Sequence, residues 1–148
     1  MGMAPGAKTH PRAPLLPVPA TSSGGRLQEL TGLSRMEYLK VFDRANCLTF
    51  FPGKSGRQKG DVFPMREAKM AADIHKQWLT YRRVIFVGRQ VATAFGWKPK
   101  ELPWFTWKVD TDWKMRCTVI PHTSGCNRFW NDPENRERAR LFFQNEVL

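Results

Sequence analysis

The sequence contains no hydrophobic run close to the ~20 residues that a helix needs to cross a bilayer. Its first residues also lack the apolar stretch of a secretory signal. We therefore expect a cytoplasmic protein that has no membrane segment. Acidic residues are few as well, because 13 Asp and Glu stand against 24 Lys and Arg, which gives a net charge of +11. This excess favours a polyanionic partner, since Lys and Arg release counterions from phosphates. The alternative is a charge that serves only solubility.

Cysteine is scarce, and no two cysteines form a CxxC pair. Cys47, Cys117 and Cys126 lie far apart in the sequence, and no histidine stands at zinc-ligand spacing from any of them. The pattern predicts reduced thiols, no metal site and no cofactor.

The length of 148 residues suits one domain, and 41% hydrophobic residues suffice for a core. Residues 1–25 are rich in Pro, Gly, Ala, Ser and Thr, which predicts a flexible or extended leader. Residues 26–148 would then form a single folded domain.

Helix signals recur along this domain. Ser34 with Glu37 three residues later predicts a capping box, and Pro64 begins a helix whose apolar face includes His75. We interpret His75 as a hydrogen-bonded histidine at the edge of the core. Asp132 or Asn131, followed by Pro133, predicts the start of the last helix.

Strand signals place the domain in the α/β class. Residues 84–88 form an all-apolar run that leads directly into a helix ending at Gly96, which is typical of a parallel strand and helix. Residues 104–109 and 114–120 predict two further strands joined as a hairpin. We expect a three-layer α/β/α sandwich around a short, mainly parallel sheet.

Two polar residues lie next to apolar residues, one within an apolar segment and one directly after a predicted strand. Asn46 lies within the segment ANCLT (residues 45–49), and its amide could read the edge of a nucleobase or merely cap a turn. His122 follows the strand that ends at Ile120, where it could donate a hydrogen bond to a departing group. We expect both side chains to face one cavity of nucleobase size.

A glycine-rich basic stretch, residues 52–61, predicts a loop over an anionic site and contributes Lys54 and Arg57. It is not a P-loop, because Leu48 stands where that motif requires a glycine.

Together these segments resemble the uracil-DNA glycosylase superfamily. IPHTSG at residues 120–125 is similar to the His-Pro-Ser loop after its last strand, and VIFVGRQVATAFG at residues 84–96 resembles its preceding strand and helix. ANCLT is similar to its uracil-reading strand, and residues 23–34 resemble the glycine-rich stretch and helix between its first two motifs. The resemblance spans roughly residues 22–148 in order.

The resemblance implies roles for individual residues. Asn46 would bind the Watson–Crick edge of a flipped base, and His122 would stabilise the departing base anion. A DNA phosphate would be held by Ser124 and the amides near Gly125. The full set of predicted DNA-binding residues is Ser124, Gly125, Asn127, Arg128, Phe129, Trp130, Arg89, Lys54 and Arg57.

The chain departs from that family at three points. Residues 1–20 contain no Asp, Glu or Asn of the kind that the first motif uses to position water, although Pro5-Gly6 resembles its loop. Asp61 in the basic loop is a candidate for that role; the alternative is that the reaction needs no residue to activate water. Thr123 replaces the usual Pro, and the four iron–sulfur cysteines of one branch are absent.

The resemblance implies a monomeric DNA glycosylase that excises uracil or a modified pyrimidine in a bacterial or phage-infected cell. The alternatives are a catalytically inactive nucleic-acid-binding module on the same fold and a nucleoside hydrolase.

Overall fold

A computed structural model describes residues 1–7, 10–54, 62–80 and 82–148. The elements, in chain order, are α1 (Ser23–Thr31), α2 (Arg35–Val41), α3 (Met65–Trp78), β1 (Arg83–Val87), α4 (Arg89–Ala94), β2 (Lys108–Asp110), β3 (Met115–Ile120), a 3₁₀ helix (Arg128–Asn131), α5 (Pro133–Phe142) and a π-helix (Phe143–Val147).

The sheet has the order β1-β3-β2. β1 runs parallel to β3, with Val87 opposite Ile120, and β2 runs antiparallel to β3. The α/β class, the parallel pair and the hairpin are therefore confirmed. The strand predicted over residues 104–109 is wrong in its first half, because Phe105 has a φ of 57°, which interrupts an extended strand. Trp104 forms only an isolated β-bridge with Val119 and is not part of a strand.

The buried residues form two clusters. Residues from α3 and α4 pack with alternate residues of the sheet, among them Phe86 and Val119. Residues from α1, α2 and α5 pack with the intervening sheet residues, Val87 and Ile120. Because side chains of a strand alternate between its faces, β1 and β3 are buried on both faces.

The helix signals in the sequence correspond to hydrogen bonds in the structure. The amide of Glu37 donates to the Ser34 hydroxyl, while the Ser34 amide donates to the Glu37 carboxylate. Asp132 accepts from the amide of Glu134 and caps α5. His75 lies at the core edge as predicted, with Nε2 3.1 Å from the carbonyl oxygen of Cys47.

Residues 1–25 do not form the predicted leader outside the folded domain. α1 begins at Ser23, so the predicted boundary at residue 25 falls inside a helix. Gly2, Pro5 and Pro17 are buried. Gly24 lies against the backbone of residues 15–16, where an added Cβ would overlap the Leu16 carbonyl. Small residues here allow two backbones to approach closely, which is why a composition typical of linkers forms a packed segment.

The first three residues lie between β1 and residues 45–48. The amino group of Met1 donates to the Ile85 carbonyl at 2.7 Å, and the Val87 amide donates to the Met1 carbonyl at 2.9 Å. On the other side, Gly2 forms a parallel bridge with Asn46. The Gly2 amide donates to Ala45, and the amide of Cys47 donates back to Gly2. Residues 1–3 therefore extend the hydrogen bonding of the sheet by two parallel segments.

Within the described residues, no helix is long and apolar enough to cross a membrane. The same part of the chain contains no group of three or more His, Cys, Asp or Glu side chains that could hold a metal ion.

We predict that Gly24→Ala destabilises the protein, although alanine favours an ordinary helix over glycine by about 1 kcal/mol. The new Cβ would collide with the Leu16 carbonyl, and overpacking of this kind costs about 1–3 kcal/mol. Urea denaturation would measure the loss. Glu29→Ala, at an exposed position of the same helix, is the control and should change stability little. Equal stabilities of the Gly24→Ala and control variants would show that residues 15–20 do not pack on α1.

Candidate functional site

A cavity of about 290 Å³ lies at the carboxyl ends of the parallel strands β1 and β3. Its described lining comes from the amino-terminal segment, the start of α4, the connection between α4 and β2, and the loop after β3. The residues are Met3, Gly88, Arg89, Gln90, Trp104, Pro121, His122, Asn127 and Phe129. Ligands of open α/β sheets bind at this end of the strands. Of the predicted site residues, the structure brings four together here: His122, Arg89, Asn127 and Phe129.

The loop after β3 is organised around the backbone carbonyl of His122. This oxygen accepts hydrogen bonds from Asn127 Nδ2 at 2.7 Å and from Trp130 Nε1 at 2.8 Å. Asn127 also accepts from the Phe129 amide and so caps the 3₁₀ helix. Asn127 and Trp130, which the sequence predicts to bind DNA, therefore use their side-chain N–H groups within the protein. There these groups hold the backbone of His122 in place.

The His122 ring has a defined orientation. Its Nδ1 accepts from the backbone amide of Ser124 at 3.2 Å. A neutral imidazole that accepts at Nδ1 carries its proton on Nε2, so the ring can donate through that nitrogen. Ser124 thus contributes its amide to the ring rather than acting only through its hydroxyl.

Gly88 allows the strand end to approach this histidine. Its φ of 109° lies in a region that side chains rarely adopt. An added Cβ would lie 3.4 Å from His122 Cβ and 3.7 Å from Met3 Sδ. Met3 and His122 therefore flank Gly88 at the base of the cavity.

The side chain of Arg89 lies on one wall of the cavity, and its contacts fix its orientation. The Arg89 guanidinium is 3.9 Å from the centre of the Trp104 ring and donates to the carbonyls of Pro99 at 2.7 Å and Leu102 at 3.1 Å. Trp104 in turn packs against Phe129, with ring centres 6.4 Å apart. These contacts fix an aromatic and cationic wall.

The loop is also tied to α1. Thr123 is fully buried, and its hydroxyl donates to the Ser23 carbonyl at 2.8 Å. Arg26 lies against Gly125, where an added Cβ would be 2.6 Å from Arg26 Nη1. Thr123, which departs from the family pattern, therefore has a structural partner, and Arg26 places a positive charge beside the loop.

Asn46 is not among the described residues that line the cavity of His122, so the convergence of the two side chains on one cavity stays a prediction. Asn46 lies on the segment beyond Gly2, and its Oδ1 is 2.5 Å from where a Cβ on Gly2 would be. This placement follows from the pairing of residues 1–3, because Met3 occupies the position next to His122. Residues 45–48 and β3, the strand that precedes His122, still end at the same edge of the sheet.

The remaining predicted residues are placed as follows. Lys54 and Arg128 are exposed, and neither lines the cavity among the described residues. Arg57 and Asp61 lie outside the described residues.

Sequence reasoning missed Met3, Gln90, Trp104 and Arg26. Gln90 was detectable, since it follows a strand that ends in glycine. Met3 was not detectable, because a segment as short as residues 1–3 cannot show the alternating pattern of a strand.

The cavity wall carries hydrogen-bond donors and no carboxylate among its described residues. His122 contributes an imidazole and Gln90 an amide, while Arg89 adds a positive charge. With two aromatic rings beside them, such groups can bind a planar molecule and stabilise negative charge that develops on it.

No protein-family model matches this chain, and no curated protein sequence matches it.

The three thiols differ in their surroundings. Burial raises the pKa of Cys47 to about 11, and burial with the nearby Asp110 carboxylate raises the pKa of Cys117 to about 12. Cys126 is exposed and belongs to the loop after β3. The thiolate is the reactive form, so high pKa and burial both suppress reaction.

We predict that iodoacetamide at pH 8 modifies one thiol of the folded protein, Cys126. Cys47 and Cys117 should react only after denaturation, because both are buried and protonated. Peptide mass spectrometry before and after adding urea would identify the sites. Rapid native labelling of Cys117 would contradict the buried β3, and Cys126→Ser should abolish the native reaction.

Proposed function

We propose that this protein is a DNA glycosylase that hydrolyses the N-glycosidic bond of uracil or a modified pyrimidine flipped out of DNA. The observation that carries the proposal is the placement of His122. Its ring lies on the wall of a cavity at the strand ends and is oriented by Ser124, while its carbonyl is held by two side chains.

The architecture supports the proposal. Helices α3 and α4 share one core with the sheet, and α1, α2 and α5 share the other. This arrangement favours the three-layer α/β/α sandwich of the uracil-DNA glycosylase superfamily. Gly2 forms a bridge with Asn46, and Pro5-Gly6, which resembles the loop of the family's first motif, follows shortly after it.

In the proposed reaction, the bond between the sugar and the base breaks first and leaves an oxocarbenium-like sugar. The electron pair of that bond remains on the base, which becomes an anion. His122 Nε2–H donates a hydrogen bond to a carbonyl oxygen of this anion. Water then adds to the sugar carbon and loses a proton, which passes to the base anion or to solvent. Because the ring is already oriented, stabilising the anion requires little rearrangement of the protein.

Positive charge near the cavity supports a DNA substrate. Arg26 lies against Gly125 of the loop, and Arg128 is exposed three residues further along the chain. Phosphates bound there would offset the few kcal/mol that flipping a base costs. The family resemblance implies that Arg128, Phe129 and Trp130 enter the gap that the flipped nucleotide leaves in the duplex. We propose this role for Arg128 and Phe129, because the Trp130 ring N–H donates to the His122 carbonyl.

No carboxylate that could activate water lies among the described lining residues of the cavity. Asp61 remains the proposed candidate. The proposed enzyme therefore depends chiefly on stabilising the leaving base.

A second candidate is a nucleic-acid-binding module that does not cleave the bond. The observation that favours it is the lining of the cavity, where Met3 contributes an apolar side chain and the described residues include no carboxylate. Such a module would keep the salt-dependent DNA binding and release no base.

We predict that the protein converts DNA containing uracil or a modified pyrimidine into DNA with an abasic site, and that His122→Ala slows base release by about 10²–10³-fold. The variant keeps the backbone carbonyl that Asn127 and Trp130 bind, so the loop should stay folded. Alkaline cleavage of end-labelled oligonucleotides under single-turnover conditions would measure the rate. Asn46→Ala should lose less activity, since Asn46 is not among the described residues that line the cavity.

His10→Ala, an exposed histidine outside the cavity, is the matched control and should retain the wild-type rate. DNA binding that weakens steeply with salt, without any abasic product, would favour the binding module and contradict the enzyme. Equal rates of base release for His122→Ala and the control would show that His122 does not contribute to catalysis.

A further inference from the structure

Three arginine side chains lie over aromatic rings of residues 104–107, which precede β2, an outer strand of the sheet. The distances from the guanidinium carbon to the ring centre are 3.9 Å for Arg89 on Trp104, 5.2 Å for Arg138 on Phe105 and 5.4 Å for Arg116 on Trp107. At such distances the positive charge is attracted to the face of the ring, which restricts the position of the guanidinium. Three cations are therefore held along one short segment of chain.

Ring contacts join these pairs to one another and to the cavity at the strand ends. Trp104 and Phe129 both line the cavity, with ring centres 6.4 Å apart. Phe105 lies 6.3 Å from Phe129 and 5.6 Å from Phe142, which lies 6.0 Å from Trp107. All of these rings except that of Phe142 are half-buried. We call the half-buried rings and their arginines the aromatic track, which consists of Trp104, Phe105, Trp107, Phe129, Arg89, Arg116 and Arg138.

The two arginines of the track that do not line the cavity are suited to bind phosphates. Arg116 and Arg138 are exposed, and within the described part of the chain neither guanidinium takes part in a hydrogen bond or an ion pair. Glu137, which precedes Arg138 on α5, lies 3.9 Å from Arg140 instead. A guanidinium that rests on a ring still presents N–H groups at its edge, where their planar arrangement matches two phosphate oxygens.

The rings of the track favour a single strand over a duplex. In a duplex the bases stack on one another, whereas the bases of a single strand can stack on aromatic side chains. Proteins that bind single strands combine such rings with positive charges that follow the nucleic-acid backbone, and the aromatic track offers both. A base in a single strand is also unpaired, so it would enter the cavity without the energy that flipping out of a duplex requires.

We propose that the aromatic track binds a single strand of DNA, one nucleotide of which occupies the cavity of His122. Phosphates beside that nucleotide would bind to the guanidinium groups of Arg116 and Arg138. The neighbouring base would stack on the rings of Trp104 and Phe129 at the mouth of the cavity. This inference deepens the proposed function and rests on it, because it names single-stranded DNA as the substrate class of the same cavity.

The test is a titration of the tryptophan fluorescence of the full chain with an oligothymidylate of about twelve nucleotides, which contains no uracil. We expect the bound strand to quench the fluorescence, because a base stacks on Trp104. Arg116→Gln combined with Arg138→Gln should weaken binding about tenfold. The slope of log K against log salt concentration should fall by ~1.4, since each phosphate contact of a single strand contributes ~0.7.

The matched control removes the same charge elsewhere. Arg35→Gln combined with Arg66→Gln changes exposed positions of α2 and α3 and should weaken binding less than about threefold, because salt screens distant charges. A further pair of variants separates shape from charge. Arg116→Lys combined with Arg138→Lys keeps both charges but lacks the planar group that binds two oxygens. Its binding should be several-fold weaker than that of the wild type, with a nearly unchanged salt dependence.

Several results would overturn the proposal. We expect the matched thymidylate–adenylate duplex to bind about tenfold more weakly than the single strand, and equal binding would show that the rings do not select single strands. Equal losses in the two glutamine double variants would show a general attraction between charges. Tighter binding of an oligouridylate would assign the track to RNA.

Failure of the proposed function would be seen separately. Binding of the oligothymidylate that depends on Arg116 and Arg138, without base release from any DNA, would contradict the enzyme and support the track. Base release from single-stranded DNA that is unaffected by the glutamine variants of these two residues would support the enzyme and contradict the track.

Discussion

The backbone pairing of Met1 to Met3 with both β1 and residues 45–48 is the constraint on which the rest of the arrangement depends. Without these three residues, the sheet would consist only of β1, β3 and the short hairpin strand β2. The three residues add two parallel neighbours and bring the segment of Asn46 to the edge where His122 lies. They also place Met3 in the lining of the cavity that contains His122.

The loop after β3 shows how polar groups can be used to build a site rather than to contact a ligand. Asn127 and Trp130 both donate to one carbonyl oxygen, that of His122. Thr123 is buried and bonds to α1. These bonds satisfy groups that would otherwise be costly to bury, and they fix the backbone that carries the imidazole, whose Nδ1 accepts from the Ser124 amide. A fixed donor can stabilise charge without first being reorganised, which is the property that release of a base anion requires.

Periodic and capping signals predicted the local structure well, because they act within one or two turns of chain. The Ser34 capping box, the Pro64 helix start, the parallel strand before Gly88 and the position of His75 all follow from such signals. The leader and the strand at residue 104 were predicted wrongly, because their structure depends on contacts distant in sequence. Gly24 packs on residues 15–16, and Phe105 adopts a left-handed conformation that no pattern indicates. His122 was found from its place after a strand, whereas Met3 becomes part of the site only through long-range pairing.

The proposed release of a base from DNA by the oriented His122 is tested most directly by mass spectrometry of the small molecules released from a panel of natural and modified DNAs. We expect a free base, uracil or a modified pyrimidine, whose release leaves the sugar–phosphate backbone intact. Release of nucleosides or nucleotides, or of nothing at all across the panel while the DNA remains bound, would contradict it.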